Sequence, residues 1–236
     1  MDVHGHTQSE VEARVNRSRE RNNLRDFVYG AIDGSVTTFA LVAGVAGAGL
    51  SSFVIVALGL ANVLADGFSM AAGNYSGTKA ELDDIRRLRE VEKHHLKNHR
   101  EGEILELREI LRGKGLNGQV LEAATEAICK NEDAWIELML EGEYGVGGAD
   151  PHPLRAALAT FGAFMVAGMV PLIPFLMGMD NAFRLSAIST LAVFFAIGAL
   201  KARWSLVSWW RSGLETLTIG GVAAGMAYVV GTLFHP

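Results

Sequence analysis

Three pairs of side chains with metal-binding chemistry lie at helical spacing in the middle of the chain. They are Glu92 with His95 and Glu103 with Glu106, each spaced i, i+3, and Met139 with Glu143, spaced i, i+4. Residues at these spacings share one helix face, and helices with Glu-x-x-His spacing bind iron in ferritin-like bundles. A Glu-rich helix can also be a solvated face. Three pairs in one short segment favour a divalent-metal site over that alternative.

Two carboxylates flank a long uncharged stretch nearer the N-terminus. Asp33 and Asp66 lie on either side of residues 34–65, which contain no charge, and a carboxylate inside a bilayer costs about 2.5–3.5 kcal/mol on insertion scales. Asp66 also belongs to a stripe in which every fourth residue of one helix face is polar or sulfur-containing. The stripe consists of Asn62, Asp66, Met70 and Asn74. This pattern favours an ion or proton pathway over an isolated structural hydrogen bond between helices.

Helical rise gives the predicted depth of two of these residues. Asp33 and Met70 each lie seven residues in from a cytoplasmic boundary, Asp26 and Gly77 respectively, which is about 10 Å along a helix. A hard carboxylate oxygen and a soft thioether at one depth form a candidate metal-ligand pair.

Four uncharged stretches predict the elements that hold these residues in a membrane. They cover residues 34–65, 156–179, 185–200 and 216–234. A spanning helix needs about 20 apolar residues, so residues 26–78 can form two spans with a break near 47–52. The other stretches predict spans at about 154–178, 182–201 and 213–234. We therefore predict an all-α membrane protein with five transmembrane helices.

The charged residues are concentrated between the second and third predicted spans. Residues 79–155 carry 17 of the 26 acids and 12 of the 21 bases, and Glu, Lys, Arg and Leu favour helices. We expect the second span to continue to about residue 96, followed by helices at about 101–112, 118–129 and 132–144. The predicted organisation is a cytoplasmic tail (1–25), transmembrane helices 1 and 2 (26–78), a cytoplasmic helical metal-binding domain (79–153) and transmembrane helices 3–5 (154–236).

Basic residues predict the orientation in the membrane. The positive-inside rule places most basic residues of the short loops in the cytoplasm. If the N-terminus is inside, the outer loops carry only Arg184. The inner segments would then carry Arg14, Arg17, Arg19, Arg21, Arg25, Lys201, Arg203 and Arg211. Five spans place the C-terminus outside. The first 23 residues show no cleavable signal peptide, and the lack of a targeting signal favours a bacterial inner membrane over a vacuolar membrane.

Composition excludes several other classes of protein. A single cysteine, Cys129, cannot form an intrachain disulfide. The net charge of -5 provides no basic field for nucleic acid. The chain shows no nucleophile triad, phosphate-binding loop or dinucleotide fingerprint, so we predict neither enzymatic activity nor an organic cofactor. Small residues at four-residue spacing, such as Gly30 and Gly34, allow close helix contact and self-association in the bilayer.

Four sequence blocks resemble the vacuolar iron transporter family. They read FVYGAIDG at 27–34, DGFSMAAGNY at 66–75, WIELM at 135–139 and MVPLIPF at 169–175. The blocks occur in order and cover nearly the whole chain beyond Arg25.

The resemblance implies a homodimer with a pore between subunits, a cytoplasmic metal-binding domain, and export of ferrous iron or related ions in exchange for protons. Asp33 and Met70 would be pore ligands. The ligands of the metal-binding domain would be Glu92, Glu103, Glu106, Met139 and Glu143. Two positions depart from the family, because Asn62 stands where the plant-type pattern has glutamate and His95 stands where glutamate is usual.

The sequence thus predicts an exporter of cytosolic Fe²⁺, with Mn²⁺, Co²⁺ and Zn²⁺ as further candidate substrates. The alternative is a membrane-anchored ferritin-like iron oxidase or metal-storage protein. That alternative explains the Glu-x-x-His spacing of the insert, which is the charged segment at 79–153 between the second and third spans. It leaves the two intramembrane aspartates unexplained.

Overall fold

The computed structural model describes residues 7–15, 23–146 and 151–233, and all regular structure in these ranges is helical. The α-helices are α1 (Gln8–Val15), α2 (Leu24–Gly47), α3 (Ser52–Asn98), α4 (Arg100–Gly113), α5 (Gly118–Ile128), α6 (Glu132–Gly142), α7 (Pro153–Met169), α8 (Ile173–Leu176), α9 (Ala182–Lys201) and α10 (Trp209–Leu233). Single 3-10 turns at Val170–Leu172 and Ala202–Trp204 complete the order. The chain divides into two compact units: α1 with the segment from Thr78 to His152, and α2 to Gly77 with the segment from Pro153 onward.

Five helical segments are long and apolar enough to cross a membrane. They are Leu24–Gly47, Ser52–Asn98, Pro153–Leu176, Ala182–Trp204 and Trp209–Leu233. The prediction of an all-helical integral membrane protein with five spans is therefore confirmed.

Glycine determines how closely the first span packs in the membrane unit, which is the compact unit formed by α2 to Gly77 and the segment from Pro153 onward. A Cβ atom added at Gly30 would collide with the backbone oxygen of Thr160, and one added at Gly34 would collide with that of Phe164. The backbones of α2 and α7 can approach this closely only because these glycines lack a side chain. The Gly30–Gly34 motif therefore serves contact within one subunit, a use that its spacing alone does not reveal.

Two prolines interrupt the third span, which the sequence predicted as one helix over 154–178. Pro171 lies in the 3-10 turn and Pro174 in the first turn of α8. Proline has no N–H to continue the helical hydrogen-bond ladder, so the helix changes geometry here. The hydroxyl of Ser186 in α9 donates to the carbonyl oxygen of Pro171 at 2.7 Å.

The insert has a hydrophobic core of its own. Leu107 of α4 and Trp135, Ile136, Met139 and Leu140 of α6 are each at most 1% exposed and belong to one cluster. The observed ends of α4, α5 and α6 lie within two residues of the predicted ends. Such a core gives this unit the means to hold charged side chains in fixed positions.

The N-terminal segment contains one short helix where the sequence predicted only a polar tail. The backbone N–H of Thr7 donates to Oε2 of Glu10 at 3.1 Å, and the Thr7 hydroxyl donates to the same oxygen. These contacts tie the Glu10 side chain back to Thr7, the residue just before the helix, as in a capping box. The orientation argument also used Arg17, Arg19 and Arg21, which lie outside the described residues.

Candidate metal centre

One residue separates the two helices that form the candidate metal centre. Helix α3 ends at Asn98 and α4 begins at Arg100, with His99 between them. Glu92 and His95 lie in the last two turns of α3, and Glu103 lies in the first turn of α4. The short link therefore brings the end of one helix and the start of the next together.

Glu92, His95 and Glu103 form a group with the geometry of a metal site. Each offers one donor atom, and these three atoms all lie within 4.8 Å of one another. Nδ1 of His95 is 3.2 Å from Oε1 of Glu103 and 3.9 Å from Oε1 of Glu92. Two carboxylates and one imidazole suit Fe²⁺, Co²⁺, Zn²⁺ and, through their oxygens, Mn²⁺.

The two carboxylates are buried and incompletely hydrogen-bonded. Glu92 is 0% exposed and Glu103 is 3% exposed. Oε2 of each has no hydrogen-bond partner among the described residues. A buried carboxylate oxygen without a partner loses the free energy of hydration. The geometry therefore favours binding of a cation, which would replace the lost hydration of both oxygens.

The pKa of Glu103 is raised to about 7, mainly by burial and then by the neighbouring carboxylates of Glu92 and Glu106. Two acids that share a buried site disfavour simultaneous ionisation. Glu103 therefore holds a proton close to neutral pH when no cation is bound. A divalent cation that binds between the acids would displace this proton.

Tyr144 is a member of the site that the sequence pattern did not identify. Its hydroxyl donates to Oε1 of Glu92 at 2.9 Å, and burial followed by this hydrogen bond raises the pKa of the phenol. The residue lies beyond the end of α6 at Gly142. Tyrosine is not among the Glu, His and Met pairs that the spacing selects, so the only signal for Tyr144 is its place directly after Glu143.

The remaining predicted ligands of the insert occupy two different environments. Glu106 and Glu143 are exposed and line a cavity of about 500 Å³ with Leu105, Glu109 and Ile110. Partial loss of hydration and then the nearby carboxylates of Glu106 and Glu92 raise the pKa of Glu143. Met139 instead lies fully buried in the hydrophobic core of the insert.

The predicted intramembrane stripe forms one half-buried face of α3. Asn62, Asp66, Met70 and Asn74 all have intermediate exposure, as does Asp33 on α2. Asp66 and Asp33 are close enough to interact electrostatically. Nδ2 of Asn62 is buried with no hydrogen-bond partner in the described part of the chain.

Asn74 has a structural role at one end of this stripe. Its Nδ2 atom donates to Oδ1 of Asp26 at 3.0 Å and to Oγ1 of Thr160 at 2.8 Å. The Thr160 hydroxyl donates in turn to the backbone oxygen of Asp26 at 3.3 Å. These bonds connect α2, α3 and α7.

Comparison with known proteins agrees with the resemblance found in the sequence. A family model described as the VIT family matches residues 24–232. Vacuolar iron transporter 1 of Arabidopsis thaliana is 32% identical over 209 residues, which cover 87% of this chain and 83% of that protein. The vacuolar iron transporter of Centaurea cyanus is 30% identical over 222 residues, with 91% of each chain covered.

A relative outside the plants has a similar identity to this chain. The vacuolar iron transporter of Toxoplasma gondii is 31% identical over 224 residues, covering 90% of this chain and 74% of that protein. These relatives are named as transporters rather than as enzymes. The prediction that this chain is not an enzyme is confirmed by that comparison.

Proposed function

The chain belongs to the VIT family, and on this premise we propose that it exports Fe²⁺ from the cytosol in exchange for protons. Mn²⁺, Co²⁺ and Zn²⁺ are further substrates in this proposal, because carboxylate and imidazole ligands accept all of them. The names of the relatives support iron as the main substrate.

The paired carboxylates of Glu92 and Glu103 are the observation that carries the proposal. Both are buried, and each has an oxygen without a partner among the described residues. A divalent cation bound there by Glu92, His95 and Glu103 would neutralise both charges. Glu106 and Glu143 line the neighbouring cavity, where they would attract cations toward this site. The insert would thus collect metal ions from the cytosol.

The transport path would use the polar face in the membrane. Asp33 and Asp66 supply negative charge to a cation that has lost part of its hydration, Met70 supplies a soft ligand, and Asn62 supplies a polar amide. Asn74 would hold the end of the path in shape through its hydrogen bonds. When the cation leaves, the two carboxylates can take up protons, which couples the two flows in opposite directions.

The assembly and orientation are also part of the proposal. We place the N-terminus and the insert in the cytoplasm and the C-terminus outside, because basic residues favour the cytoplasmic side. We propose a homodimer with the pore between subunits, as the family resemblance implies. A bacterial inner membrane is our proposed location, whereas the relatives are named for the vacuole.

Metal-driven proton movement in proteoliposomes tests this function. Wild-type protein should move Fe²⁺ and protons together, whereas an oxidase or storage protein would consume or retain Fe²⁺ without a proton gradient. Glu92→Gln should slow flux several-fold at low metal concentration, because the insert loses a charge that binds the cation. Glu101→Gln is the matched control, since Glu101 is exposed on α4. Equal flux in wild type and Glu92→Gln at every metal concentration would contradict the role of the insert.

A further inference from the structure

A cavity of about 530 Å³ lies beside the first and fourth spans in the membrane unit. Helix α2 contributes most of its wall, and α9 contributes its last residue, Lys201. The wall residues on α2 are Leu24, Arg25, Val28, Tyr29, Ile32 and Asp33. These positions recur every four residues and therefore form one strip along the helix.

The polarity of this strip changes along its length. Arg25 lies in the first turn of α2 and Lys201 at the C-terminal end of α9, so both cations are at one end of the cavity. Val28 and Ile32 follow as an aliphatic wall. Asp33 lies eight residues beyond Arg25, which is about 12 Å along the helix. The cavity thus has a basic mouth, an aliphatic wall below it and one carboxylate, that of Asp33, at its far end.

The two bases at the mouth are available to an anion. Arg25 is exposed. Nζ of Lys201 is 3.7 Å from Oε2 of Glu215, and the two side chains are 38% and 61% exposed. An ion pair this exposed contributes little free energy, so an incoming anion can compete for Lys201.

Tryptophans mark the depth of the mouth in the membrane. The segment after Lys201 contains Trp204, Trp209 and Trp210, which are 55%, 61% and 46% exposed. Tryptophan is enriched where the hydrocarbon meets water. The guanidinium of Arg211 also lies 5.1 Å from the centre of the Trp210 ring. The basic mouth therefore lies at the level of lipid headgroups, and Val28 and Ile32 lie at the level of the acyl chains.

We propose that this cavity binds one anionic phospholipid, with its phosphate at Arg25 and Lys201 and an acyl chain against Val28 and Ile32. Basic pockets between transmembrane helices bind such headgroups. The volume lies within the range of about 300–1,000 Å³ that is usual for ligand sites. A bilayer lipid fits better than free phosphate, because the apolar wall continues below the two cations. The exposed ring of Tyr29 lies one helical turn beyond Arg25 on the same strip, where an amphipathic side chain is favourable.

Native mass spectrometry of the purified full-length protein tests the proposal. The probes are phosphatidylglycerol and phosphatidylcholine with identical acyl chains. We expect wild-type protein to prefer phosphatidylglycerol, and Arg25→Gln with Lys201→Gln to weaken that binding about 25-fold, from about fivefold for each base. Binding of phosphatidylcholine should not change.

Two further double variants make the result specific. Arg203→Gln with Arg211→Gln removes the same charge from exposed positions that do not line the cavity, and it should leave phosphatidylglycerol binding unchanged. Arg25→Lys with Lys201→Arg retains both charges and should retain binding. Loss of lipid in this charge-retaining variant would show that the cavity does not act through charge, and would overturn the proposal.

Four other outcomes would also overturn it. Equal binding of the two lipids would leave only an apolar groove, and an equal loss in the Arg203/Arg211 variant would reduce the effect to surface potential. Displacement of lipid by millimolar inorganic phosphate would identify a site for free anions. A second copy of the chain would be the occupant if lipid binds only the monomer and the Arg25/Lys201 variant changes the dimer fraction. None of these readouts depends on metal transport.

Discussion

Glu103→Gln is expected to change the stability of the insert in opposite directions with and without metal. The reason is the pKa of Glu103, which lies at about 7 in the folded protein against an ordinary 4.5. As pH rises from 4.5 to 7, the unfolded chain releases the proton while the folded chain still binds it. The free energy of unfolding therefore falls across this range and is level above it. Glutamine removes the dependence, because it does not ionise.

The size of the effect follows from the same shift. Each pKa unit corresponds to about 1.4 kcal/mol, so the Glu103 charge destabilises the metal-free fold by about 3.5 kcal/mol at most. Water reaches the site beside His95, whose side chain is 40% exposed, and screening reduces this to about 1–2 kcal/mol. At pH 8 the metal-free variant should melt about 5–15 °C higher than wild type, because 1 kcal/mol shifts a domain of this size by about 4–8 °C.

Metal should reverse the order of the two melting temperatures. A ligand at 100 times its dissociation constant stabilises the folded state by about 2.7 kcal/mol, and the variant loses most of this with its carboxylate. Trp135 is the only tryptophan between residues 78 and 152 and is fully buried. Its fluorescence therefore reports melting of that segment expressed alone, at pH 5 and pH 8, with and without Zn²⁺.

Glu101→Gln provides the control, because Glu101 is exposed on the same helix. It should melt like wild type in all four conditions. The argument about the buried charge would be refuted if the difference in stability between metal-free wild type and Glu103→Gln were the same at pH 8 as at pH 5. Equal stabilisation of wild type and Glu103→Gln by Zn²⁺ would remove Glu103 from the metal site.

Three membrane or site variants give further tests. Asp33→Asn keeps the shape of the side chain and removes its charge, so proteoliposome flux should nearly disappear while the protein remains folded; wild-type flux would exclude Asp33 from the path. Tyr144→Phe should weaken metal binding by the insert about tenfold in calorimetry, as loss of a ligand-orienting hydrogen bond does, and unchanged affinity would leave Tyr144 a packing residue. Gly34→Ala places a Cβ against the Phe164 backbone and should lower the melting temperature in detergent, whereas Gly162→Ala has open space around its Cβ and should not; equal melting would refute the close α2–α7 contact.

The sequence predicted the spans well because charge and apolar residues are sharply separated along this chain. Gly49 and Ser51 lie in the break before Ser52, and Asp180 and Asn181 precede the start of α9 at Ala182. These residue types favour turns. The interruption of the third span at Pro171 was harder to predict from the sequence. Prolines are tolerated in transmembrane helices when neighbours satisfy the freed backbone groups, so their presence does not by itself show where a span changes geometry.

The sequence predicted which candidate metal ligands share a helix face, but not which helices bring their ligands together. Spacing placed Glu92 with His95 on one helix, whereas the approach of Glu103 depends on the one-residue link at His99. Met139 shows the limit of this reasoning. Its i, i+4 spacing to Glu143 suits a ligand pair and equally suits a core position, and the structure places its side chain fully in the core. Only three-dimensional packing distinguishes the two environments.

The hydrogen bond from Ser186 to Pro171 has a consequence for biosynthesis. The donor lies 15 residues after the acceptor, so the ribosome completes the third span before it adds the residue that binds the Pro171 carbonyl. Inside the hydrocarbon no water can serve as a substitute donor. The third segment therefore gains its full stability in lipid only when the fourth segment is beside it. This dependence favours release of the two segments from the insertion machinery as a joined pair.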